Sequence, residues 1–327
     1  MKILVAISGE KLNGIKFHRL VYPLSAMAEY HKDVDITVTG STFQLSEKEI
    51  KAYDIAVLHA VYTTADEIRR LLVHGVKVVV DFDDYWKLST TNEMYTKFKE
   101  AGEMKRLLGL FDYRIHVTTT TEALKRKILE HSILGSVSVL PNGMIDDDEY
   151  RNPLDNGTIE FGWVGGSTHT ADLMKIKHLK GNYGIDTVFA PKNYAMIFKD
   201  SFDYYDPMKV PDYLNIYNVL DVVLVPLVKN EFNQYKSELK IVEAGFYKKP
   251  IIVSDVEPYR RFLKDGENCL VVHKHRDWAK HAKSLMSDKR LREKLGNNLY
   301  RDMKEHFDLK KITEKRYEYF KKIIQDV

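Results

Sequence analysis

Short apolar runs alternate with longer stretches of helical spacing along this chain, and that alternation limits the folds open to it more than any other feature. Residues 2–8 (KILVAIS), 34–38, 54–58, 76–81, 114–118 and 137–140 read as buried strands, with helical stretches such as 17–30, 64–74 and 121–131 between them. Such alternation implies a parallel sheet covered by helices on both faces, because a parallel crossover needs a dozen or more residues and a helix supplies them. Residues 141–157, PNGMIDDDEYRNPLDNG, combine Pro, Gly, Asn and a run of acids and read as a linker between domains. A second series starts at Ile159, with strand candidates at 187–190, 221–225, 251–254 and 268–272. The expected fold class is therefore α/β, with two doubly wound, Rossmann-like lobes, and 327 residues suffice for two cores.

Composition excludes several classes. With 44% hydrophobic and 30% charged residues the chain is not disordered, and a net charge of +3 creates no global field that demands nucleic acid. The charge is uneven, since residues 274–327 carry +7 and the remainder −4; a solvated helical face, or a dock for anionic lipid or nucleic acid, accounts for the excess. The single cysteine, Cys269, lies in an apolar run, so no disulfide framework exists and a reducing, cytoplasmic compartment is expected. MKILVAISG is a first strand and not a secretion signal, and no stretch approaches the ~20 apolar residues of a membrane span. Peripheral contact with a membrane stays open.

Residues 233–259, NQYKSELKIVEAGFYKKPIIVSDVEPY, join a short charged helix to a buried strand through a tight turn. At 3.6 residues per turn Lys236, Lys240 and Glu243 share one face, with Leu239, Val242 and Phe246 on the opposite stripe. Ser237 is placed to cap the helix, and the first-turn amides with Lys236 and Lys240 can hold a diphosphate without a metal. Glu243, one turn on, suits the paired hydroxyls of a ribose. The competing reading is a surface helix with solvated lysines and an ordinary i,i+3 pair between Lys240 and Glu243.

Ligands of open parallel sheets bind beyond the carboxyl ends of the strands, which directs attention to four loops. After the first strand, residues 9–16 contain Gly14, which permits close backbone approach, and Arg19 follows as either a phosphate ligand or a surface side chain. In VVVDFDDYW, residues 78–86, Asp81, Asp83 and Asp84 would repel one another, so their placement implies use or solvation. One of them can orient or deprotonate an acceptor hydroxyl; a solvated acidic loop is the competing reading. In GWVGGSTHTADL, residues 162–173, Gly165 and Gly166 let amides approach a phosphate, Ser167 or Thr168 can cap a helix, and His169 can donate to the diphosphate or the sugar, a partly exposed histidine at a helix start being the competing reading. The fourth loop, PLVKNEFNQYKS, should place Asn233 and Lys236 in the cleft. His59 reads as a rim or packing residue.

KSELKIVEAGFYKKPIIVSDVEPY resembles the donor-site signature of group-1 glycosyltransferases of the GT-B fold, in which a glutamate ahead of a small-residue turn and PIIVSD binds the nucleotide ribose. GWVGGSTH resembles the start of that family's donor domain, and Asp83 or Asp84 stands where related enzymes keep His or Asp facing the donor. The resemblance implies an acceptor-side lobe over residues 1–150, a donor-binding lobe over 151–308 and a terminal helix, 309–327, crossing back onto the first lobe. It implies a hexosyl- or pentosyltransferase that uses a UDP- or GDP-sugar as co-substrate, retains configuration and has no permanently bound cofactor or metal. Its acceptor would be a glycan, a lipid-linked sugar or a modified DNA base, with a nucleotide-sugar-binding protein that has lost transfer as the alternative. One departure stands out: many members carry another glutamate eight residues before the ribose-binding one, and here that position is Tyr235.

Overall fold

Two six-stranded parallel sheets, each flanked by helices, make up the computed structural model, which describes residues 1–9, 12–154 and 157–326. Glu10 and Lys11 of the loop after the first strand, Asp155 and Asn156 of the linker, and Val327 lie outside the described residues. The first sheet contains β1 (Lys2–Ala6), β2 (Asp35–Thr39), β3 (Ile55–His59), β4 (Lys77–Phe82), β5 (His116–Thr119) and β6 (Val137–Val139) in the order β2-β1-β3-β4-β5-β6. The second contains β7 (Phe161–Gly162), β8 (Val188–Pro191), β9 (Asp203–Tyr205), β10 (Val222–Val225), β11 (Ile251–Ser254) and β12 (Leu270–Val272) in the order β12-β11-β10-β7-β8-β9. Helices cover both faces, so β3, β10 and β11 are buried at every position and read as unbroken apolar runs. Both strand orders reverse once, between β1 and β3 and between β7 and β10, and ligand crevices form at such switch points.

The sequence reading contains no strand at β9. Its three residues are half-buried at a sheet edge, too short a run for a period to show. The expected helix over residues 17–30 divides into a π-helical turn, Lys16–Val21, and an α-helix, Tyr22–Tyr30. The wider turn faces Lys16, His18 and Arg19 into the protein, where all three are buried.

The last helix, Leu309–Gln325, crosses back onto the first lobe. Its Tyr317, Phe320 and Ile323 pack with Ile3, Val5, Leu20 and Leu24, while Ile312 joins the second lobe's core. Backbone bonds of 2.9 Å from Met144 N–H to Phe307 O and from Leu309 N–H to Met144 O pin the crossing to the linker. The chains approach so closely that a Cβ on Gly143 would stand 2.9 Å from Leu309 Cα, which is why this position has no side chain. Most cations of the basic carboxyl-terminal segment face solvent, but Arg316 turns inward and is 1% exposed.

Candidate active site

The loops at the carboxyl ends of β1, β4, β7 and β10 converge on a cleft of about 590 Å³ between the lobes. Gly14, His18, Arg19, Asp83 and Asp84 line it from the first lobe; Gly165, Gly166, Ser167, His169, Lys236, Ser237 and Lys240 line it from the second.

The helix that carries part of this wall, Leu239–Phe246, buries Ile241, Val242, Ala244 and Phe246 and turns Leu239 to the cleft. It starts later than the residue spacing suggests. A short turn over Phe232–Tyr235 ends at Lys236 in extended conformation, and Glu238 is the residue before the helix. Ser237 therefore does not cap the helix, and its hydroxyl instead accepts a 3.3 Å bond from Asn142 Nδ2. Lys236 and Lys240 still face the same cleft, one from the approach and one from the first turn.

Glu243 is fully buried and does not line the cleft. Tyr213 and Tyr217 (2.7 Å) donate their hydroxyls to its two oxygens, Lys240 Nζ stands at 3.3 Å, and His18 Nε2, 2.6 Å from the Tyr213 hydroxyl, lies 3.9 Å away. Burial favours the neutral carboxyl, but Lys240, His18 and the two tyrosines outweigh it and hold its pKa below the usual value. The i,i+3 pair with Lys240 is present, as the bland reading of the helix has it. Tyr213 lines the cleft and covers the carboxylate, so the structure does not bring Glu243 to the cleft surface where the residue spacing places it.

On the first lobe the three aspartates have different surroundings. Asp81 is fully buried and holds Arg19 by two bonds of 2.9 and 2.8 Å, with Thr118 Oγ1 at 2.6 Å. Arg19 Nη1 donates to Leu140 O and Asn142 Oδ1, so a guanidinium that borders the cleft spends its donors on the lobe itself. Asp83 accepts from His59 Nε2 at 3.0 Å. Burial raises its pKa, yet His59, Arg19 and Lys236 prevail and hold it at about 2. Asp84 has no such clamp; burial lifts it above the usual carboxylate value, with Lys236 Nζ at 3.4 Å working against the rise. That contact also bridges the lobes, beside Lys87 to Glu231 at 2.8 Å and the Thr170 N–H to Glu93 at 2.9 Å.

In the β7 loop, a Cβ on Gly165 would stand 2.3 Å from the Trp163 ring, so the glycine lets the backbone cross an aromatic face. Gly165→Ala is expected to displace Trp163 and to destabilise the fold by about 1–3 kcal/mol, read as a lower denaturation midpoint; an unchanged midpoint would show that the loop shifts freely. Gly166 O accepts from the Tyr194 hydroxyl at 2.7 Å. His169 precedes the helix Thr170–Leu173 and bonds Asp172 through Nδ1 at 2.7 Å. Asn233 lies outside the cleft, its Nδ2 tied to Val228 O at 2.8 Å. Tyr235 packs against Tyr85 with ring centres 4.6 Å apart, on the first lobe's core.

Sequence reasoning missed His18, Asn142, Asp172 and Tyr213. Asn142 sits in a stretch read as linker, and the other three become site residues only through partners distant in the chain. Among the described residues no group of three or more His, Cys, Asp or Glu is arranged to hold a metal ion, and no helix is long and apolar enough to cross a membrane.

Two buried groups here give acid stability a testable shape. Burial lowers the pKa of His18 to about 4, with Glu243 opposing, and burial pushes Glu238 up to about 7, opposed by its own amide and by Arg261 and Arg19. The unfolded chain protonates His18 near pH 6.5 while the fold resists until about 4, so this group costs about 3 kcal/mol as pH falls through that window. Glu238 has the opposite sign, because the fold keeps its proton to about 7 while the unfolded chain releases it near 4.5. The two slopes offset each other in the natural protein. Glu238→Gln should leave His18 unopposed and steepen the loss of stability between pH 6.5 and 4.5 by about 2–3 kcal/mol; a curve parallel to that of the unmodified protein would refute the assignment.

The facing lobes, the cleft at two switch points and the terminal crossing helix define the GT-B fold. Similar solved structures share it: Anabaena Alr3699/HepE in complex with UDP-glucose is 11% identical, with a TM-score of 0.69 over 98% of this chain and 100% of that one. A glycosyltransferase from Rickettsia africae is 14% identical (TM-score 0.66, 100% and 99% covered), and sucrose-phosphate synthase from Thermosynechococcus elongatus is 10% identical (TM-score 0.67, 100% and 99% covered). Residues 176–316 match the family described as glycosyl transferase-like. No curated protein matches it in sequence.

Proposed function

We propose that this protein moves a sugar from a nucleoside-diphosphate sugar, UDP- or GDP-linked, to an acceptor hydroxyl, with retention of configuration and without a metal ion. The observation that carries the reading is the meeting, in one cleft, of Lys236, Lys240 and the Gly165–Gly166 backbone with Asp83, Asp84 and Gly14 from the opposite lobe. The second lobe takes the donor. Its two lysines neutralise the diphosphate and stabilise charge on the leaving group, where preorganised donors act most strongly. The HepE structures, which hold UDP and UDP-glucose, support this choice of co-substrate. The first lobe takes the acceptor, a glycan, lipid-linked sugar or modified DNA base, and Asp84 orients its hydroxyl while Asp83 stays ionised against His59. Lys236 changes partner from Asp84 to the diphosphate when the donor arrives.

Incubation with UDP- and GDP-sugars should give slow donor hydrolysis that survives a chelator; hydrolysis abolished by the chelator would reject the metal-free mechanism. Loss of duplex binding with a steep salt slope would select the DNA acceptor. A second reading, a nucleotide-sugar-binding protein without transfer, is favoured by Tyr235 facing the first-lobe core and by Tyr213 covering Glu243. Nucleotide-dependent thermal stabilisation with no turnover of any donor would select it.

A further inference from the structure

We propose that His169 recognises a hydroxyl of the donor sugar as a hydrogen-bond acceptor, and that Asp172, buried behind it, is the positioning residue that sets this polarity. The inference rests on the cleft being a nucleotide-sugar site and says which part of the donor His169 meets. Asp172 is 5% exposed, and its two oxygens have different partners: Oδ1 accepts the Val228 backbone N–H at 2.6 Å and Oδ2 accepts Nδ1–H of His169 at 2.7 Å. A carboxylate has no hydrogen to give, so the ring nitrogen that faces it carries the proton. In a neutral imidazole the other nitrogen, Nε2, then holds a lone pair.

The surroundings keep the ring neutral at pH 7. Burial disfavours the imidazolium and Lys236 and Lys240 add to this, while Asp172 opposes; Asp84 and Glu93 are the other charged groups in range, and the Tyr194 hydroxyl accepts the His169 backbone N–H at 2.8 Å. The Trp163 ring, 5.2 Å from the imidazole between centroids, packs beside it. An acceptor nitrogen has no use for a phosphate oxygen, which is acceptor-only. The base, the ribose and the transferred sugar all carry donors that can satisfy it, and the transferred sugar is the part assigned here because Asp84, which orients the acceptor hydroxyl in this reading, is in range of His169. The expectation that His169 donates to the diphosphate or the sugar is therefore replaced by one in which it accepts from the sugar.

Asp172→Asn tests this without changing shape. The Val228 N–H still needs an oxygen, so the amide turns its NH₂ toward Nδ1, the imidazole proton moves to Nε2, and an acceptor becomes a donor. The probes are UDP and UDP-glucose, with GDP and GDP-mannose in parallel, measured by calorimetry on the full chain. Asp172→Asn and His169→Ala should each weaken the sugar nucleotide by about 10- to 100-fold and leave the bare nucleotide within about twofold. Nitrogen-15 NMR of the imidazole should show Nδ1–H in the natural protein and Nε2–H in Asp172→Asn. Equal losses for nucleotide and sugar nucleotide, no loss for either, or Nε2–H in the unmodified protein would overturn the proposal. Failure of the unmodified protein to bind any of the four nucleotides would instead overturn the reading of the cleft itself.

Discussion

Asp81→Ala should lower stability by about 3–5 kcal/mol, the expected cost of stranding one partner of a buried ion pair, and a denaturant midpoint measures it. Arg19 is 1% exposed and loses both of its bidentate bonds. The damage extends past one pair. Arg316, on the crossing helix, is also buried; burial and the nearby Arg19 pull its pKa down to about 9, with Asp81 the compensating charge. Its Nε and Nη1 have no hydrogen-bond partner in the structure, so removing Asp81 takes from Arg316 its compensating charge and leaves Arg19 with only the more distant Asp83 and Glu238. The double variant Asp81→Leu, Arg19→Met removes the pair together and should recover much of the loss, since apolar replacements of similar volume are often tolerated. A single variant as stable as the natural protein would show that water already reaches this pair.

The second large effect is expected at Glu243. Glu243→Gln keeps the shape but not the charge and should weaken nucleoside-diphosphate affinity by about tenfold or more, as loss of a charge-assisted hydrogen bond does. Tyr213→Phe separates donor binding from support. The Tyr213 hydroxyl now occupies one oxygen of the carboxylate, and its removal abolishes the competition with a ribose. Affinity should rise, by about threefold to tenfold. If calorimetry finds neither change while thermal stability falls in both, Glu243 is an anchor for Tyr213 and Tyr217 and the ribose is held elsewhere.

The contrast between Glu243 and Asn233 shows how far residue spacing reaches. Glu243 is expected in the cleft from its distance to the apolar stripe of one helix, and Asn233 from its place in the loop after a strand's carboxyl end. Spacing determines which side of a helix a residue occupies, but not whether another segment lies over that side. Tyr213, about thirty positions earlier in the chain, covers Glu243, and the loop carrying Val228 folds back to take the amide of Asn233. The aspartates of residues 78–86 make the same point, since three similar carboxylates at one strand end divide into a structural anchor, a His59-clamped anion and a group open to the cleft.

The order of apolar runs and breakers in the chain was enough to determine two parallel sheets, their helical cover and the four loops that meet at the cleft, because period and length are local properties of the polymer. Which side chains in those loops remain available for a ligand was decided only by tertiary contacts. A buried polar group must find a partner wherever the fold brings one, and the partners of Arg19, His169 and Glu243 come from segments that sequence distance does not connect.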